Sequence, residues 1–185
     1  MRRVRYCVAV SLDGFIAGPG GEHDWIVMDP TIDFAKFFQD FDTVLMGRRT
    51  FETTLERAGP GGMPGMCNFV FSRKLSGAEH PKVNVSRDAV STVTALRAKS
   101  GKDIWLMGGG LLFGSLVARG LVDSVEVGIV PILLGGGVPL FPLSSQRIPL
   151  HLTQSKAHPS GVVSLSYSVQ PQPSRCGGLF SVALF

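Results

Sequence analysis

Cysteine is scarce in this sequence. Cys7, Cys67 and Cys176 are odd in number and lack the paired spacing of a metal centre. Cys7 and Cys67 lie in apolar, strand-like runs, where a free thiol behaves as a small hydrophobe. There is no disulfide framework. Ser11, Asp13 and Gly14 follow the basic Met1-Arg2-Arg3-Val4-Arg5 start too soon for the apolar stretch of a secretory leader. A reduced, cytoplasmic protein is therefore expected. No window offers the ~20 uninterrupted apolar residues of a membrane span. Charged residues are only 17% of the chain, with a net charge of +4. No Lys/Arg run with interleaved aromatics occurs, so a nucleic-acid groove is not expected. Internal repeats are also absent.

What is present points to one folded unit. A chain of 185 residues with 44% hydrophobic residues and a mean hydropathy of +0.24 supports one well-cored domain and excludes wholesale disorder. The composition changes at Pro171, so the reading is a domain over residues 1–170 and a tail over 171–185, apolar from Leu179 to Phe185.

The hydrophobic pattern predicts a first strand over Val4–Val10, apolar on both faces beyond Arg5, as in a central buried strand. A long Gly/Pro-bearing loop from Ser11 to Asp29 follows, and loops of that length are commonly functional. Phe34, Phe37, Phe38 and Phe41 recur at helical spacing, predicting a helix over Thr31–Asp40 with Thr31 as N-cap and Asp33 in its first turn. Strands are predicted at Thr43–Met46, Cys67–Phe71, Lys82–Val85, Asp103–Met107 and Leu121–Val130. Helices are predicted at Arg48–Arg57, from Ser86 or Asp88 to Lys99, and at Leu111–Arg119. Pro149–Ala157 and Gly161–Gln170 alternate polar and apolar residues around His158-Pro-Ser-Gly, predicting an antiparallel hairpin. The sum is an α/β fold with a mixed, mostly parallel central sheet and a C-terminal antiparallel hairpin.

Ligands of such sheets lie beyond the carboxyl ends of the strands, and three predicted ends carry anion-friendly residues. Gly47-Arg48-Arg49-Thr50 opens a helix whose first N–H groups lack partners. Ser72-Arg73 ends another strand, and Gly108-Gly109-Gly110 follows a third. The glycine run is not a Rossmann fingerprint, because Phe113 stands where the last glycine would be needed. Taken together, the three ends suit a dinucleotide, although each alone reads equally well as an ordinary strand–helix junction.

The ordered set Ala9-Val-Ser-Leu-Asp13-Gly-Phe-Ile16-Ala17, Leu45-Met-Gly-Arg-Arg-Thr-Phe-Glu52, Phe71-Ser72-Arg73, Met107-Gly-Gly-Gly-Leu-Leu-Phe113 and Pro131-Ile-Leu-Leu-Gly-Gly-Gly-Val-Pro-Leu-Phe141 resembles the dihydrofolate reductase-like superfamily. Within it, the branch of the bacterial riboflavin-biosynthesis reductase domain (RibD C-terminal domain) is the most similar, over about residues 3 to 169. The resemblance implies a three-layer fold, a homodimer, a small-molecule substrate and NADPH as cofactor. Ala9 and Ile16 would lie beside the nicotinamide. Gly47, Arg48, Arg49 and Thr50 would hold the diphosphate and the adenosine side. Ser72 and Arg73 would take the ribose 2′-phosphate. Met107, Gly108, Gly109, Gly110, Leu111, Leu112 and Phe113 would line the cofactor at the next helix start.

For the chemistry, Asp13 is a candidate for substrate contact or proton delivery, or else an Asp-Gly turn residue. Asp33 occupies a helix similar to the one that carries the pterin-binding carboxylate of folate reductases, but the Trp25–Asp33 interval is longer than in that pattern. Trp25 is a candidate lid. The zinc deaminase signature is absent. Three functions stay open: an NADPH-dependent reductase of a small heterocycle, sugar imine or carbonyl; dihydrofolate reductase itself; and a non-catalytic NADP-binding protein.

Overall fold

The strand-then-helix alternation assembles into one large sheet. The computed structural model describes residues 1–142 and 147–171; the expected apolar tail end lies outside them. In chain order the elements are β1 (Val4–Ser11), β2 (Phe15–Ala17), α1 (Phe34–Gln39), β3 (Phe41–Gly47), α2 (Arg48–Ala58), β4 (Cys67–Phe71) and β5 (Asn84–Ser86). Then follow α3 (Ala89–Ala98), β6 (Asp103–Gly108), α4 (Gly110–Val117), β7 (Ser124–Val130), β8 (Val138–Pro139), β9 (Leu150–Ala157) and β10 (Val163–Val169). Eight strands pair in the order β5-β4-β3-β6-β1-β7-β10-β9. Pairing is parallel except where β10 meets β7 and β9. β1 lies centrally, as its two-sided apolar run required.

Helices cover both faces. On one, α3 and α4 bring Val93, Leu96, Phe113 and Leu116 onto Tyr6, Leu106 and Val125. The Tyr6 and Phe113 rings stack at 4.0 Å, an arrangement worth about 0.5–1.5 kcal/mol beyond area burial. The Tyr6 hydroxyl donates to the Leu140 carbonyl at 3.3 Å. On the other face, Phe51 of α2 packs with Val44, Met46 and Trp105, joined by Phe37 of α1.

Two expectations need correction. The first helix starts at Phe34, not Thr31: Asp33 is its N-cap and accepts from Lys36 N at 2.9 Å. Thr31 is drawn away because its hydroxyl donates to Asp29 (2.6 Å) and meets His158 (2.8 Å). Phe41 therefore leaves the helix stripe and begins β3. Second, the Ser11–Asp29 loop is not wholly irregular. Its Phe15–Ala17 pairs antiparallel with Val138–Pro139 from the later Gly/Pro-rich connection, so residues 131–141 fold back over the loop.

Candidate functional site

β3 and β6 neighbour each other and both end in glycine at a helix start. Gly47 is the N-cap of α2 and Gly109 that of α4, and neither supplies a side-chain cap. A methyl group placed on Gly47 would lie 3.7 Å from the Gly108 oxygen and the Gly109 nitrogen, so the two helix starts abut. Their first-turn N–H groups and two positive dipole ends face one region. Thr50 borders it: its Oγ1 lies 3.7 Å from where a Gly109 Cβ would stand. Gly108 has φ +138°, a conformation that favours glycine.

The third glycine differs. A Cβ on Gly110 would lie 2.5 Å from the Pro139 carbonyl oxygen, so its bare backbone serves close packing of the 139–140 segment. Phe113 also leaves the expected cofactor rim. Its ring is buried against Tyr6 and its N–H is already bonded to the Gly109 carbonyl at 3.1 Å. Leu111 is exposed, while Leu112 packs partly against the core. Met107 is half-buried on β6, its sulfur 3.8 Å from the Thr54 hydroxyl.

Among the expected arginines, Arg48 is engaged with Glu52 at 2.7 Å. Arg49 and Arg73 are exposed, and among the described residues their guanidinium groups make no hydrogen bond or ion pair. The Ser72 oxygen accepts from Lys74 N and Leu75 N, both at 3.0 Å, so it shapes the turn that carries Arg73. Sequence reading missed Arg87. β4 and β5 pair through Phe71 and Ser86, and the Ser72 N–H donates to the Ser86 carbonyl. Arg73 and Arg87 therefore leave neighbouring strand ends together. The signal was available, since a Ser-Arg pair marks the carboxyl end of both strands.

On the other side of β6, Ala9 of β1 is half-buried and Ile16 packs partly against the core. Asp13 receives the Ser11 hydroxyl (2.6 Å), Leu134 N (3.1 Å) and Gly135 N (2.7 Å). Led by the Ser11 bond, these contacts hold its carboxyl below the ordinary range. The expectation of proton delivery from Asp13 meets this environment badly: the group is a clamp between the first loop and the Leu133-Leu-Gly-Gly-Gly segment. Trp25 is half-buried, its indole N–H on the Glu22 carbonyl at 3.1 Å.

Asp33 lines a polar cavity of about 250 Å³ between residues 31–33 and the β9–β10 hairpin, with Gln154, Lys156, His158, Ser164 and Ser166. The hairpin groups were missed because their strands read as simple alternation. Register places Ala9 beside Gly128, and Gly128 beside Ser164. This row crosses three strands on one sheet face, with no side chain in the middle. The next row is Cys7, Glu126 and Ser166, where Glu126 is held by two bonds of 2.7 Å from Arg5. Burial pushes the Cys7 thiol well up, so it lies there as a neutral apolar group. Among the described residues no cluster suited to a metal is found.

A sheet with this order, with glycine-led helix starts at neighbouring strand ends, is an architecture shared with known proteins. The model of the RibD C-terminal domain matches residues 2–164, and the chain belongs to that family. It is similar to the uncharacterized protein YyaP of Bacillus subtilis, with 35% identity over 90% of this chain and 94% of that one. A putative riboflavin biosynthesis protein from Shewanella sp. PV-4 superposes with TM-score 0.77 and 26% identity, covering 91% of this chain and 99% of the other. The fold is also that of dihydrofolate reductase from Enterococcus faecalis, solved with NADP(H), at TM-score 0.69 and 17% identity over 91% and 97% of the two chains. Among the described residues no helix is long and apolar enough to cross a membrane.

Proposed function

We propose that the protein is an NADPH-dependent reductase acting on a small heterocyclic, sugar-imine or carbonyl substrate. The observation that carries this reading is the meeting of two helix N-termini, where Gly47 and Gly109 are the N-caps and neither supplies a side-chain cap. Such a pair offers backbone N–H groups and dipole charge to a diphosphate. Arg49, Arg73 and Arg87 supply free cations farther along the same sheet edge, where a 2′-phosphate distinguishes NADPH from NADH. Met107, Leu111 and Leu112 border the cofactor on the α4 side. Ala9 and Ile16 flank the nicotinamide, and the row Ala9–Gly128–Ser164 gives the substrate a floor.

The bound cofactor would supply a hydride. The chain itself orients the reactants, and the clamped loop with Trp25 keeps water out. Asp33, at the rim of the polar cavity, is a substrate-contacting group. The reading also includes a homodimer. Leu150 and Leu152 are 42% and 48% exposed. On the same hairpin face an apolar groove of about 300 Å³ is lined by Val125, Val127, Leu165 and Tyr167, a surface that favours association.

The test is a fluorescence titration with NADPH and NADH. Nicotinamide oxidation is then followed with dihydrofolate and with the ribosylamino-pyrimidine phosphate of riboflavin synthesis. Preferential NADPH binding with turnover of the second probe supports the reading. Turnover of dihydrofolate alone would make it a folate reductase, and tight NADPH binding without turnover a binding protein.

A further inference from the structure

Behind the polar cavity runs an unbroken chain of hydrogen bonds. Asp29 is only 2% exposed. It accepts from the Thr31 N–H (2.8 Å), the Thr31 hydroxyl (2.6 Å) and the Ser160 N–H (2.9 Å). These contacts fix the direction of the rest. Because Thr31 gives its proton to Asp29, its Oγ1 is left as an acceptor toward His158 Nδ1, 2.8 Å away. The ring therefore carries its proton on Nδ1. On the far side, His158 Nε2 lies 2.9 Å from Ser164 Oγ. The imidazole is buried, and both His158 and Ser164 border the cavity.

A hydroxyl can donate or accept, whereas a backbone N–H or C=O can do only one. That matters here. With the ring neutral, Ser164 donates to Nε2 and turns its lone pairs to the cavity. With the ring protonated, Nε2–H donates to Ser164, whose own hydrogen then points outward. The ring can gain or lose a proton without leaving a buried partner unsatisfied, which would otherwise cost about 1–3 kcal/mol.

We propose that His158 and Ser164 form a proton wire that protonates the substrate as it is reduced. The inference rests on the reductase reading and adds the proton source that Asp13 does not provide. Ser164 stands in the same cross-strand row as Ala9, two strands away, or about 10 Å at ordinary sheet spacing. A small ring lying over Gly128 spans that interval. The carbon of the substrate's C=N or C=O bond takes the hydride of the reduced nicotinamide. The bond's π electrons move to nitrogen or oxygen, which binds the Ser164 hydroxyl proton. Ser164 takes the Nε2 proton of His158, leaving a neutral ring that still holds its Nδ1 proton. The ring recovers a proton from solvent between turnovers, so each cycle adds one hydride and one proton and leaves the cofactor oxidised. The charged groups facing this wire are Asp29 behind Thr31, Asp33 at the α1 cap and Lys156 on β9. Glu126 lies one row away on β7, engaged by Arg5.

Two measurements on the full chain test the wire. Long-range ¹H–¹⁵N NMR of the His158 ring between about pH 5 and 9 should show the neutral ring as the Nδ1–H tautomer. It should also titrate reversibly while the His158–Thr31 contact persists. A neutral Nε2–H tautomer, or a ring that titrates only as the hairpin contact is lost, overturns the proposal. In kinetics, Ser164→Ala and His158→Asn should each lower kcat by about 100-fold, the low end of general acid catalysis. NADPH Kd should stay within about twofold, since neither residue lies on the cofactor side. Ser164→Thr, which keeps the hydroxyl, should recover most of the rate. An unchanged kcat in Ser164→Ala, or a loss confined to KM, refutes the wire. Failure of the wild-type chain to bind NADPH or to turn over either probe would refute the reductase reading instead, while the tautomer and titration still decide whether the wire exists.

Discussion

Arg73→Ala tests the cofactor reading at the point where cofactor identity would be decided. Arg73 is exposed and has no partner among the described residues, so truncating it removes no internal contact and folding should be unaffected. A hydrogen bond between an arginine and a phosphate contributes about 1.5–3 kcal/mol. Solvent screening at an exposed rim reduces this to about 1–2 kcal/mol. The NADPH Kd should then rise by about 5- to 30-fold. NADH, which lacks the 2′-phosphate, should change by less than about twofold. Arg87→Ala should act in the same direction, because the Ser72–Ser86 backbone bond holds the two strand ends side by side. If both arginines grip one phosphate, the double variant should deviate from the sum of the singles. Fluorescence titration of both cofactors at two salt concentrations reads this out, with the NADPH preference shrinking as salt rises. Equal weakening of NADPH and NADH, or no change in either, would refute the 2′-phosphate role of this strand edge.

Three further outcomes are expected. Gly110→Ala places a Cβ 2.5 Å from the Pro139 oxygen. It should cost about 1–3 kcal/mol, or about 2–12 °C in Tm, while Gly128→Ala, whose Cβ meets only Val162 at 3.8 Å, should melt with the wild type. The Asp29 carboxyl is held below its ordinary pKa, chiefly by the Ser160 and Thr31 hydrogen bonds. Its stabilisation is present above about pH 4 and is lost as the pH falls further; denaturant titrations should show Asp29→Asn less stable at neutral pH and less pH-dependent below about pH 4. Leu152→Glu should convert a dimer to a monomer in light scattering, and a wild-type monomer at micromolar concentration would dispose of the hairpin interface.

Element types were legible because their patterns were strong. The two-sided apolar run of β1, the Cys67–Phe71 strand and the glycine-terminated strands at Gly47 and Gly108 could be read from local composition. Failures occurred where one distant bond outweighed a local preference. Thr31 looks like an N-cap, but Asp29 and His158 take its hydroxyl, and Asp33 inherits the cap. Asp13 reads as a substrate-contacting or proton-delivering group or as an Asp-Gly turn residue, yet it is claimed by backbone N–H groups 121 and 122 residues away. Phe113 belongs to a motif that suggested the cofactor, but helix geometry turns it to Tyr6. The hairpin's polar face was hidden for another reason: alternation tells which residues share a face, not which helix or loop will sit over it.

The site divides according to how its parts are built. The side proposed for the cofactor is mostly backbone: two helix starts without side-chain caps and glycines that keep them close, with arginines added at the rim. On that reading such a surface would recognise what every dinucleotide shares and would tolerate change in most side chains. The opposite side is made of side chains carried by the late hairpin and by the segment before α1, joined through Asp29, Thr31 and His158. Substitutions there alter hydrogen-bonding groups and leave the sheet register unchanged, because the side chains of Ser164, Ser166, Gln154 and Lys156 take no part in the backbone pairing that sets it. One scaffold can therefore hold its cofactor edge constant while the hairpin face changes, and it is on that face that differences in substrate between relatives should be found.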